Sequence, residues 1–99
     1  MRAAAKWVQR EHHQIVGATL TATRRRANMT QVELAALIGK PQSFISAYEV
    51  GKRRVDVIEL LLIARTLGAD PVEIFGEIVA SIPRETRRRA LISRHRPPA

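Results

Sequence analysis

The chain has no cysteine, which excludes disulfide frameworks, thiolate metal sites and cysteine nucleophiles. Aromatic residues are scarce, one Trp, one Tyr and two Phe. That supply is too small for a platform on which single-stranded RNA bases would stack. Alternating Val, Ile and Thr runs are missing from the helical segments, so no strand is expected and an all-α fold follows. No apolar run approaches the roughly 20 residues of a membrane span. The opening Met-Arg-Ala-Ala-Ala-Lys-Trp reaches Arg10 and Glu11 before a secretory core can form, and a cytoplasmic protein is expected. Acidic residues are also few: nine Asp and Glu stand against seventeen Lys and Arg, a formal net charge of +8. Such an excess favours polyanions, nucleic acid first and an anionic membrane surface second.

What remains is enough for one domain. The chain has 99 residues, of which 45% are hydrophobic, too short for two independent cores but able to build one. From Arg2 to Ala27 the sequence is helix-friendly, with Ala4, Val8, Ile15, Ala18 and Ala22 roughly on one stripe. Gly17 interrupts that stretch, which leaves one long helix or two shorter ones. Arg24, Arg25 and Arg26 complement the dipole at its end, and Asn28 suits the left-handed conformation that closes a helix.

Thr30-Gln31-Val32-Glu33 is a capping box. The helix it opens carries Leu34, Ala35, Leu37 and Ile38 and stops at Gly39, where positive φ is needed. After Pro41 a second helix runs through Phe44, Ile45 and Tyr48 to Gly51. Two short helices separated by Gly39-Lys40-Pro41 have helix-turn-helix spacing. Ala35 falls at the crossing point, where only a small side chain fits. Leu34, Ile38, Ile45 and Tyr48 form the inward set, and Gln42, Ser43, Ser46 and Ala47 point outward from the second helix. Lys52, Arg53 and Arg54 form a basic loop. Asp56 caps an apolar fourth helix ending at Gly68; Asp70-Pro71-Val72-Glu73 opens a fifth. Beyond Pro83 an Arg-rich segment, 84–96, is either a solvated arm, a phosphate clamp or a membrane-surface helix. Its apolar face of Ala90, Leu91 and Ile92 is too narrow for membrane binding.

Arg24, the run Met29 to Ala35, Ile38-Gly39, Gln42 to Ser46, Tyr48-Glu49, Gly51-Lys52-Arg53 and the helix from Leu60 to Leu67 together resemble the Cro and C1 repressor type of helix-turn-helix, the XRE-like regulators. The likeness spans about 15–79. It implies a five-helix lambda-repressor-like domain over 15–80, with an N-terminal helical extension over 1–14 and a basic arm over 81–99. It also implies roles for single residues. Gln31, at a helix N-terminus, would touch a DNA phosphate, with Lys40, Lys52, Arg53 and Arg54 as further backbone contacts. Gln42 and Ser43 would read base edges, Gln by pairing with adenine and Ser with less discrimination. Ser46 and Ala47 would lie one turn on, with the Ala47 methyl against a thymine methyl. Arg24 and Glu49 match a structural salt bridge.

The expected function is sequence-specific binding of double-stranded DNA through the major groove by a homodimer acting as a repressor or autoregulator. Phe75, Ile78, Val79 and Ile82 exceed what one short helix needs to bury and suggest the second copy. An antitoxin with a toxin partner, a restriction-modification controller, and a protein-interaction module that has lost DNA binding use the same fold. Trp7 either packs on the fifth helix or tail, or anchors a second subunit. No enzyme, cofactor or metal is expected: His12 and His13 are adjacent and point about 100° apart, so they cannot share a ligand face. His95 lies in the tail, and Glu59, Glu73, Glu77 and Glu85 form no paired carboxylates in a cleft.

Overall fold

A computed structural model describes residues 7–84. The basic segment expected after Pro83 lies outside them except for Arg84, as do the first six residues. Five α-helices follow in order: α1 (Arg10–Arg26), α2 (Gln31–Ile38), α3 (Gln42–Glu49), α4 (Val57–Thr66) and α5 (Pro71–Ser81). No strand occurs among the described residues.

The helix boundaries are set by local chemistry. At α2 the Thr30 hydroxyl accepts from the Glu33 amide at 3.1 Å and the Glu33 carboxylate accepts from the Thr30 amide at 2.8 Å. The same reciprocal pair, Asp56 with Glu59, opens α4 at 2.8 and 3.0 Å. At α5 Asp70 accepts from the Val72 amide, with Pro71 in the first turn. Each device satisfies amides that the helix itself leaves without partners. Gly39, at φ 72°, ends α2, and Asn28 takes φ 55° after α1 as expected.

The first helix departs from expectation at its start. Trp7 to Gln9 are not helical, and α1 begins at Arg10, where the Gln9 amide donates to Nδ1 of His12 at 2.8 Å. Gly17 does not divide it. A single helix runs through the 14/15 boundary that the sequence suggested.

Gly17 instead permits a crossing. It is buried, and a Cβ there would lie 2.5 Å from the Glu49 carbonyl oxygen and collide with that of Tyr48. The backbone of α1 thus rests directly on the C-terminal end of α3. Around this contact α1 packs on α3 and α5, α2 on α3 and α4, and α4 on α5. The core is Leu20, Leu34, Ala35, Ile45, Tyr48, Ile63, Ala64, Leu67, Ile74 and Ile78, with Ile38 and Phe44 packed against it. Ala35 is buried, as the crossing requires. The apolar supply of α4 is only half consumed: Ile63 and Ala64 are buried, whereas Val57, Ile58 and Leu62 remain exposed.

Candidate nucleic-acid interface

The outward face of α3 begins at its N-terminus, beside that of α2. Gln42 and Ser43 are exposed, Ser46 and Ala47 half-buried one turn later. These side chains form the accessible ridge of a helix whose other side, Ile45 and Tyr48, is buried. The Ser46 hydroxyl donates back to the Ser43 carbonyl at 3.3 Å.

Behind the ridge lies a hydrogen-bonded chain from core to surface. Arg24 and Glu49 form a forked salt bridge, Nε to Oε2 at 2.7 Å and Nη2 to Oε1 at 3.1 Å. The pair is nearly dry, with side chains 9% and 5% exposed. The remaining guanidinium nitrogen donates to the Met29 carbonyl at 2.7 Å, so one arginine joins α1, the following loop and α3. Burial pushes the Glu49 carboxyl up. Hydrogen bonds from Arg24 and Gln31, with the Arg24 charge, outweigh burial and hold it below the usual carboxylate range. The charged Glu49 accepts from Nε2 of Gln31 at 2.8 Å, and Oε1 of Gln31 accepts from Nε2 of Gln42 at 3.1 Å.

This order fixes amide orientation. A carboxylate only accepts, so Gln31 turns its nitrogen to Glu49 and its oxygen to Gln42. Gln42 then turns its nitrogen inward, leaving Oε1 and a second N–H free to point outward. One acceptor beside one donor is the pattern that pairs with N6 and N7 of adenine in the major groove. Gln31 is half-buried in the first turn of α2, where amides without helical partners favour a phosphate.

The cations divide into two groups. Lys40, Lys52 and Arg54 are exposed. Arg53 is engaged: its guanidinium grips Glu59 at 2.9 and 2.8 Å, donates to the Arg54 carbonyl at 2.8 Å, and stacks 4.3 Å from the Phe44 ring centroid. Arg53, first, and the Asp56 amide hold the Glu59 carboxyl down at about 2. The sequence treats Lys52, Arg53 and Arg54 as equivalent; the fold does not.

Arg25 was missed. Read only as a dipole-complementing cation, it is exposed and lines an open groove of about 540 Å³ with Thr30, Gln31 and Gln42. Its position on α1, one residue past the buried Arg24, is a matter of tertiary packing that no local pattern announces. Among the described residues no group of three His, Cys, Asp or Glu could hold a metal ion, and no helix is long and apolar enough to cross a membrane.

The sequence pattern of the helix-turn-helix family matches residues 20–74. The uncharacterized HTH-type transcriptional regulator y4dJ of Sinorhizobium fredii is 37% identical over 60 residues, 61% of this chain and 78% of that protein. Among solved structures, an XRE-family like protein from Pseudomonas syringae pv. tomato superimposes with a TM-score of 0.67 at 39% identity, over 81% of this chain and 98% of the other. The clp gene regulator ClgR from C. glutamicum shares the fold, with a TM-score of 0.69 at 24% identity over 75% of this chain and 96% of that one. This chain belongs to the Cro/C1-type, or XRE, helix-turn-helix family of DNA-binding transcriptional regulators.

Proposed function

We propose that the protein is a repressor or autoregulator that reads a specific duplex site by laying α3 in the major groove. The observation that carries this reading is the Glu49–Gln31–Gln42 chain. It orients an exposed amide at the N-terminus of a short helix with adenine-like complementarity, supported from the core. Ser43, Ser46 and Ala47 are small enough to let the helix approach base edges. Gln31, Lys40, Lys52 and Arg54 would hold the backbone, with Arg25 on the α1 side. Because such contacts release counterions, affinity falls steeply with salt.

One helix of this length reads few base pairs, and two copies related by a two-fold axis would place their α3 helices about 34 Å apart in successive major grooves. The surface that supports a second copy is on α5. Val72, Phe75 and Val79 are 77%, 57% and 56% exposed and share one helical face with Gly76 and Ala80, an uncharged stripe with Glu73 and Glu77 at one edge. Ile78, expected in the same role, is buried in the domain's own core and Ile82 packs against it.

Selection of bound duplexes from a random pool tests the proposal. An enriched inverted repeat, with half-site centres about one helical turn apart, is the expected result. Recovery of unenriched sequence at every salt concentration would refute sequence-specific reading.

A further inference from the structure

We propose, on the reading that this surface binds duplex DNA, that Glu59 is a positioning residue for it. Glu59 holds Arg53 as a strut between α4 and Phe44, so that Lys52 and Arg54 meet phosphates and Arg53 does not.

The geometry leaves Arg53 little to offer a ligand. Nη1 serves the Arg54 carbonyl and Oε1 of Glu59, and Nη2 serves Oε2 of Glu59. The side chains are 39% and 28% exposed. A phosphate drawn to this guanidinium would also meet the Glu59 carboxylate, which repels it. The forked pairing exploits the planar geometry that distinguishes arginine from lysine.

The same contacts fasten three pieces of the interface together. The face of Phe44 carries Arg53, with Lys40 Nζ 5.5 Å from its centroid, and the ring meets Tyr48 edge-on at 5.8 Å. Phe44 stands in the first turn of α3, a helix whose N-cap, Pro41, supplies no side-chain hydrogen bond. Packing must therefore hold that end in place. At the other end of α3 the Ala47 carbonyl accepts from the Lys52 and Arg53 amides at 2.9 and 3.2 Å. Glu59 closes the arrangement, since Oε1 also accepts from the Asp56 amide at 3.0 Å. The basic loop is thereby clamped to both ends of the recognition helix and to the start of α4.

Glu59→Gln separates this role from simple electrostatics. Glutamine keeps an acceptor at the third position of the capping box but loses the charge that grips Arg53. Removing a negative charge beside a DNA surface would by itself tighten binding; loss of the strut weakens it. The probe is a labelled mixed-sequence duplex of about 30 base pairs titrated at several salt concentrations, with each variant checked by heat unfolding to be folded at the assay temperature. Glu59→Gln, Arg53→Gln and Arg53→Lys are each expected to bind about 3–10-fold more weakly than wild type, consistent with a lost charge-assisted pair. The salt slope should stay unchanged, and Arg53→Gln with Glu59→Gln should be no weaker than either alone. Lys52→Ala should lower the slope by about 0.9. Tighter or unchanged binding by Glu59→Gln, or a slope lowered by Arg53→Gln with Arg53→Lys binding like wild type, would overturn the strut. Absence of any salt-dependent binding by wild type would overturn the DNA-binding reading, and the strut with it.

Discussion

Gly17, Tyr48 and Arg24 each carry a residue-scale consequence that can be measured. A methyl group on Gly17 would meet backbone carbonyls of α3 on its buried side, and backbone cannot rotate away as a side chain can. Gly17→Ala is expected to destabilise the domain by roughly 2–3 kcal/mol, as overpacked contacts do, despite alanine's higher helix propensity; a urea titration reads it. Among the described residues the buried Tyr48 hydroxyl has no hydrogen-bond partner, and burial, first, with the neighbouring Glu49 charge raises its pKa further from ionisation. Tyr48→Phe removes an unsatisfied polar atom and should leave stability unchanged or raise it by about 1 kcal/mol. Arg24→Met strands a nearly dry Glu49 carboxylate and should cost about 3 kcal/mol or more. Glu59 gives the pH dependence. Its folded pKa, about 2 against an ordinary 4.5, is depressed, so its contribution is complete above about pH 4.5 and is lost as pH falls towards 2. Denaturation at pH 6 and pH 3 should show a smaller acid loss for Glu59→Gln than for wild type.

At the scale of elements, the starts of α2, α4 and α5 were legible because caps are local. Thr30 with Glu33, Asp56, and Asp70 with Pro71 act across three residues or fewer, and the chain states them outright; the reciprocal bond from the Asp56 amide to Glu59 emerges only in the fold. The turn at Gly39 was legible for the same reason, as was the inward set Leu34, Ile38, Ile45 and Tyr48 from its 3.6-residue period. What was not legible depends on partners distant in sequence. Gly17 read as an interruption because glycine weakens helices; its carbonyl neighbours lie more than 30 residues further on. Phe75 and Ile78 looked alike, and only the packing of α5 on α1 and α4 sends one to solvent and the other inward. The Arg24–Glu49 pair was anticipated through the resemblance, whereas the Gln31–Gln42 bond was not anticipated from any source. The α5 stripe carries this scale's prediction: Phe75→Glu with Val79→Glu should convert a dimer to a folded monomer in sedimentation velocity, with the unfolding transition retained. A wild type that sediments as a monomer at every concentration, free and bound to DNA, would remove the second copy from the account.

At the scale of the whole molecule, a dry interior stands behind one wet face. Helices α1 and α2 pack against α3 from behind, and on the proposed reading the strongly basic chain is drawn to a polyanion before any base is read. In the proposed reading the discriminating step rests on Gln42, which Gln31 and Glu49 hold by hydrogen bonds, with Ser43 beside it. The most direct test is to repeat the duplex selection with Gln42→Ala, Ser43→Ala and compare preferences base pair by base pair with those of wild type. The double variant should lose preference at two or three adjacent positions in each half-site, each by about 1–3 kcal/mol, with the repeat spacing and salt dependence retained. An unchanged preference at every position would contradict the proposed reading, and would mean that α3 does not read the bases.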